Sequence, residues 1–280
     1  MIYLLDIIAD TLLDSLKLLP FLFLTFIIME LFEHKLGNKA NERLKKANKV
    51  GPLFGSLLAV IPQCGISASA TNFYITRVIS LGTLISVYLS TSDEMLPILI
   101  SEKVDISIIL KFLAIKVVIG MICGFVIDFI YRNKKKEDIH EFCNDEHCDC
   151  EHGILKSSIK HTLNVIIYII IFSFLLNIIL HYYGESFLEK ILMKNSPFGV
   201  FISSLIGLIP NCSSSIILTE LYLKGLLSFG KVMAGLLVNA GVGLLILVKY
   251  NKDKKDTIKI IGILLIIGII SGLLLDIFIK

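Results

Sequence analysis

The sequence predicts an all-α polytopic membrane protein built from two inverted-topology repeats of about five helical segments each, with broken or re-entrant helices. Three observations lead there. The 280 residues are 55% apolar with a mean hydropathy of +0.81, and the apolar residues come in charge-free blocks at 50–76, 162–180, 196–219 and 260–275. A helix crossing a bilayer needs about 20 mostly apolar residues, so these blocks read as membrane segments. Segment 55–132 aligns with segment 203–280 without a gap, and 22 of those 78 positions are identical. Lysine and arginine, finally, collect in three segments: six in 35–49, six in 132–160 and five in 249–259, against two in 184–196 and one in 101–107.

The repeat gives the domain organisation. Matching hydrophobicity alone does not explain Pro62/Pro210, Cys64/Cys212, Gly82/Gly230, Gly120/Gly268, Gly124/Gly272 and Asp128/Asp276, so internal duplication sets the boundaries. Residues 1–131 form a first membrane repeat, 132–158 a Cys/His-rich loop and 159–280 a second repeat. Placing the basic segments in the cytoplasm puts 35–49 and 132–160 on the same side. Each half then crosses an odd number of times, and the repeats are inverted. The amino terminus lacks the basic region of a secretory signal and carries Asp6, Asp10 and Asp14 on one helical face, before an expected span at 18–31. Asp128 and Asp276 are expected near helix ends at the interface. No basic tract with interleaved aromatics is present, so nucleic acid is not an expected partner; the lipid bilayer is.

Each half carries two breaks. Pro62 and Gly65 divide the first charge-free block into two pieces of about a dozen residues, each too short for a ~30 Å core. A re-entrant hairpin with its tip at residues 62–65, or two short crossings, both satisfy the charge distribution, and Pro210 repeats the arrangement. The second break lies in YLSTSDEMLP (88–97), matched by LLVNAGVG (236–243). Thr91 and Glu94 have capping-box spacing and Asn239 stands opposite Thr91, so a new half-helix is expected after each. Irregular backbone at depth is tolerated where it is buried in protein or lines a cavity, and paired broken helices mark the sites of secondary transporters.

The candidate substrate-binding residues lie at these breaks: Gln63, Cys64, Ser67, Thr91, Ser92, Asp93, Glu94, Asn211, Cys212, Ser213, Ser215 and Asn239. Thiol, amide and hydroxyl groups together make a moderately soft ligand set. Asp93 and Glu94 follow a charge-free run, where each charge costs roughly 2.5–3.5 kcal/mol on insertion scales; they read as cation- or proton-binding groups or as helix caps near the outer interface. The central loop HEFCNDEHCDCEHG crowds His140, Cys143, His147, Cys148, Cys150 and His152 into one short polar stretch. Cytoplasmic thiols stay reduced, and thiolate with imidazole suits a soft divalent or monovalent metal. The spacing is not that of a zinc finger, so a flexible sensing or delivery loop is expected, with no permanently bound cofactor.

The stretches LLDSLKLLPFLF, IPQCGISASATNFY, STSDEMLP, CDCEHGILKSSIKHTLN and IPNCSSSIILTELY resemble those of the ten-helix heavy-metal and arsenic efflux permeases, some of which are labelled manganese transporters. The resemblance covers most of the chain. It implies transport without enzymatic chemistry in a prokaryotic cytoplasmic membrane, and its site carries over onto Gln63, Cys64, Ser92, Asp93, Glu94, Asn211 and Cys212. The expected activity is export of a metal or metalloid ion by alternating access. No phosphate-binding glycine loop occurs, so ATP is not expected to drive it. A reading from a different class is a membrane thiol–disulfide electron carrier that uses Cys64 and Cys212.

Overall fold

The computed structural model describes residues 50–62, 64–92, 94–131, 198–210 and 212–278, with isolated helical positions between 19 and 27 and between 159 and 174. Of Cys64, Cys212 and Ser213 it describes the backbone alone. The acidic face at Asp6–Asp14, most of the expected span at 18–31, Gln63, Asp93, Asn211 and the loop ligands His140, Cys143, His147, Cys148, Cys150 and His152 lie outside the described residues.

Among the described residues the chain forms ten helices and no strand. They are α1 (Gly51–Leu58), α2 (Cys64–Ile75), α3 (Leu81–Ser90), α4 (Met95–Ser101), α5 (Ile106–Tyr131), α6 (Phe198–Gly207), α7 (Cys212–Leu223), α8 (Phe229–Val238), α9 (Val242–Tyr250) and α10 (Lys254–Phe278). The first five and the last five correspond: when 55–132 is laid on 203–280, every helix end falls on its counterpart or next to it. Local chemistry explains several of these ends. Pro52 occupies the first turn of α1, where its missing N–H costs nothing. Ser80 caps α3 by accepting a hydrogen bond from Thr83 N at 3.1 Å. Asp128, on α5, completes that cap: Ser80 Oγ donates to it at 2.7 Å and Gly82 N at 2.8 Å.

Helix α3 lies between α1 and α5, and α8 lies in the same way between α6 and α10. The contact is made by glycine. A Cβ added at Gly124 would lie 2.8 Å from Gly82 O, with Pro52 and Ser86 equally close; one at Gly272 would lie 2.9 Å from Gly230 O, with Ala234 and Val200 its other neighbours. Each member of the second set is the repeat counterpart of one of the first. The small-xxx-small spacing thus serves close helix approach, as expected of membrane helices. The halves are joined by α2 on α9, α7 on α4, and α3 on α8.

Among the described residues, three stretches are long and apolar enough to cross a membrane: Ile106–Tyr131, Phe229–Tyr250 and Lys254–Phe278. The second contains α8, a break and α9, and it is almost wholly buried. Helices α5 and α10 instead bury one seam each, Ile109–Phe112–Lys116–Gly120–Gly124–Ile127 and Thr257–Ile260–Leu264–Gly268–Gly272. Their other faces expose large apolar side chains such as Leu110, Ile122, Phe129, Ile266, Ile270 and Phe278, a surface that suits lipid.

Candidate functional site

The four breaks fall where the sequence puts them. Helix α1 ends at Leu58 and α2 begins at Cys64; α3 ends at Ser90 and α4 begins at Met95. In the second half the gaps lie between Gly207 and Cys212 and between Val238 and Val242. Both post-proline helices therefore begin at a cysteine.

The structure brings breaks from different halves together. At the start of α9, a Cβ on Gly243 would lie 2.7 Å from Ser67 O and 3.0 Å from Ser67 Cβ, so the first turn of α2 presses on the first turn of α9. Thr71, one turn beyond Ser67, locks this contact. Its Oγ1 lies 2.5 Å from the Tyr88 hydroxyl, 2.7 Å from Ser67 O and 3.1 Å from Gly243 O. A threonine hydroxyl has one hydrogen and two lone pairs. Tyr88 therefore donates to it, and the Thr71 hydrogen goes to one of the two carbonyls. The reciprocal pairing, α7 on α4, brings the second post-proline helix to the short helix that follows the first-half break. Thr219, the counterpart of Thr71, donates to Ser215 O at 2.7 Å.

Among the expected ligands, Ser67, Thr91, Ser92, Ser215 and Asn239 are all buried, and Glu94 is half-buried. Ser92 Oγ donates to Ser90 O at 3.2 Å. The expected capping box is not formed. Thr91 Oγ1 donates backwards to Val87 O at 2.8 Å, so Thr91 closes α3 instead of opening α4, whose N-cap is Glu94 without a side-chain cap bond. Asn239 likewise ends α8; its Oδ1 accepts from Gly241 N at 3.0 Å in a tight turn, and Gly241 at φ +53° takes the N-cap position of α9. In both places the side chain satisfies nearby backbone before the next helix begins. Among the described residues, no three His, Cys, Asp or Glu side chains form a group able to hold a metal ion. The groups that the described residues bring there are hydroxyls, an amide, the Glu94 carboxylate and carbonyl ends of helices.

One residue at the junction was not singled out from the sequence. Lys116, on the buried seam of α5, is 1% exposed. Its ammonium donates to Thr91 O at the end of α3 and, at 2.9 Å, to Leu236 O near the end of α8. A lysine inside a 26-residue apolar helix, opposite Leu264 in the repeat, was the available signal.

A family model described as "Putative, 10TM heavy-metal exporter" matches the chain over residues 4–187 and again over 162–280. The chain belongs to that family. The ten-transmembrane exporter family and the apolar helices make it a multi-pass membrane protein. The family match favours metal efflux over the thiol–disulfide carrier. No curated protein and no solved structure matches the chain.

Proposed function

We propose that the chain exports a metal or metalloid ion across the cytoplasmic membrane, and that its two halves are inverted repeats that alternate access to one site. The carrying observation is the contact of Ser67 with Gly243, which joins the first break of one half to the second break of the other. Broken helices that meet at mid-depth are where secondary transporters hold their substrates. In this reading Gln63, Cys64 and Ser67 face Asn239 across one junction, while Asn211, Cys212, Ser213 and Ser215 face Thr91, Ser92, Asp93 and Glu94 across the other. The basic segments 35–49, 132–160 and 249–259 lie in the cytoplasm. The loop with His140, Cys143, His147, Cys148, Cys150 and His152 gathers a soft ion there and delivers it to the pathway.

The test is a comparison of ions. In inverted vesicles, Cys64→Ser and Cys212→Ser should each slow transport of a soft ion such as cadmium or arsenite at least several-fold. A hard ion such as manganese should be affected less, because a hydroxyl is a poor soft-ion ligand. Equal loss for all ions, or none, would place the site elsewhere. A reversible Cys64–Cys212 disulfide that forms during turnover would favour the carrier reading.

A further inference from the structure

We infer that Lys116 is a built-in monovalent cation. Its ammonium fills a site formed by the carbonyl ends of α3 and α8, and so holds the two second breaks in register around the transported ion. The role in transport rests on the exporter reading; the cation site itself does not.

The site is built from two helix ends. The last carbonyls of a helix have no partner within it and carry together about half a negative charge. Thr91 is the C-cap of α3. In α8 the final ladder bond runs from Asn239 N to Gly235 O, and Leu236 O comes next. Helices α3 and α8 are counterparts in the repeat and touch each other, so their negative ends converge on one place. That convergence favours positive charge, and the Lys116 ammonium supplies it.

Lys116 is suited to this by depth and by surroundings. It is the eleventh residue of α5, about 15 Å from the Ile106 end of a helix about 39 Å long. A lysine near a membrane surface turns its ammonium outward to water, whereas here the nitrogen turns inward to two carbonyls. Its own carbonyl accepts from Ser90 Oγ at 3.3 Å. One turn on, Gly120 lets the end of α3 lie against α5, since a Cβ there would be 2.9 Å from Ser86 O. The stem is therefore fixed at the same helix end that the ammonium caps. In the second half Leu264, wholly buried, occupies the matching position, so the lysine is not repeated there. Backbone carbonyls are ligands that an ammonium or a large alkali ion accepts in place of water. The class of ligand is ammonium, alkylammonium or a large alkali ion.

Removing the side chain should make that ligand a requirement. In purified full-length protein, Lys116→Ala should lower the thermal midpoint by ~5 °C or more and slow transport at least ten-fold. Methylammonium should return at least half of both losses, while tetramethylammonium, too large for the space, should return neither. Lys116→Met fills the space without charge and should show both losses with no response to methylammonium. An alanine variant equal to wild type, or one that responds equally to the two amines, overturns the inference. If Lys116→Ala does not fold, the charge can be moved to the other half. By the correspondence of the repeats a lysine at 264 faces Asn239 O and Tyr88 O, so Lys116→Leu with Leu264→Lys should recover yield and midpoint lost in Lys116→Leu alone. No recovery overturns the inference. The two readings fail separately. A methylammonium-dependent midpoint in a protein whose wild type moves no ion refutes the exporter and leaves the cation site standing. Ion export by wild type with no amine response in the alanine variant refutes the cation site alone.

Discussion

Gly243→Ala tests the junction between the halves by adding one methyl group. That methyl would sit 2.7 Å from Ser67 O, 2.9 Å from its carbonyl carbon and 3.0 Å from its Cβ, where ordinary contact begins at 3.4 Å. Both partners are rigid, so no rotamer change relieves the overlap and α9 must retreat from α2 by about 0.7 Å. Overpacking of this kind costs about 1–3 kcal/mol. The retreat also stretches the 3.1 Å approach of Thr71 Oγ1 to Gly243 O beyond hydrogen-bonding range, which adds up to about 1 kcal/mol. The second term is small because Thr71 can still donate to Ser67 O. At roughly 2–4 °C per kcal/mol for a chain of this size, the thermal midpoint should fall by about 5–10 °C. Calorimetry or tyrosine fluorescence reads this in purified protein, since the chain has no tryptophan. Initial transport rates should fall with it. Gly262→Ala, with nothing within 4 Å of the added methyl, is the control and should not lower the midpoint. A Gly243→Ala protein that melts within about 1 °C of wild type would refute the close contact, and with it the meeting of the two breaks.

Further outcomes follow from the same geometry. Asp128→Ala removes the acceptor of Ser80 Oγ and Gly82 N and should destabilise by about 1–2 kcal/mol, seen as a lower thermal midpoint with unchanged transport per folded molecule. Tyr88→Phe deletes the hydroxyl 2.5 Å from Thr71 Oγ1 at a cost of about 1 kcal/mol, and guanidinium or heat denaturation should register it. Joint replacement of Cys148 and Cys150 by serine in the full chain should weaken cadmium binding at least ten-fold by equilibrium dialysis and leave part of the transport rate. Residues 35–49, 132–160 and 249–259 should all be labelled by membrane-impermeant reagents from the cytoplasmic side; labelling of residue 145 from outside would contradict inverted halves.

The breaks were legible because proline and glycine act locally. Pro62 and Pro210 cannot continue a helix, and each is followed two positions later by a cysteine that opens the next one. The pairing of halves was legible because small and charged residues recur at a fixed offset where apolar residues alone carry little information. Capping at Thr91 and Asn239 was misread because a hydroxyl or amide can serve the helix behind it as well as the one ahead. The backbone carbonyl of Val87 and the N–H of Gly241 won that competition. Lys116 escaped notice for a different reason. Hydropathy averaged over α5 stays high despite Lys111, Lys116 and Asp128, and the acceptors of the Lys116 ammonium include backbone atoms of Thr91 and Leu236, 25 and 120 residues away. Nothing in their side chains announces them.

The burial of α3 and α8 bears on how the molecule is made. Each has ten residues and is about 15 Å long, half the depth of a bilayer core. Neither offers a face to lipid, since 82–90 and 229–238 are buried throughout. Such a segment cannot be retained by the membrane on its own merits when it leaves the ribosome. Its open carbonyls at residues 91 and 236 are safe in water and costly in hydrocarbon. Helix α5, which follows α3 after the short α4, is the first piece of 50–131 that the bilayer accepts outright, and it carries both the glycine seam and the ammonium that α3 needs. Biogenesis of the first half is therefore committed only when residues 106–131 have been synthesised, and a nascent chain that stalls before them should be an early substrate for membrane proteolysis.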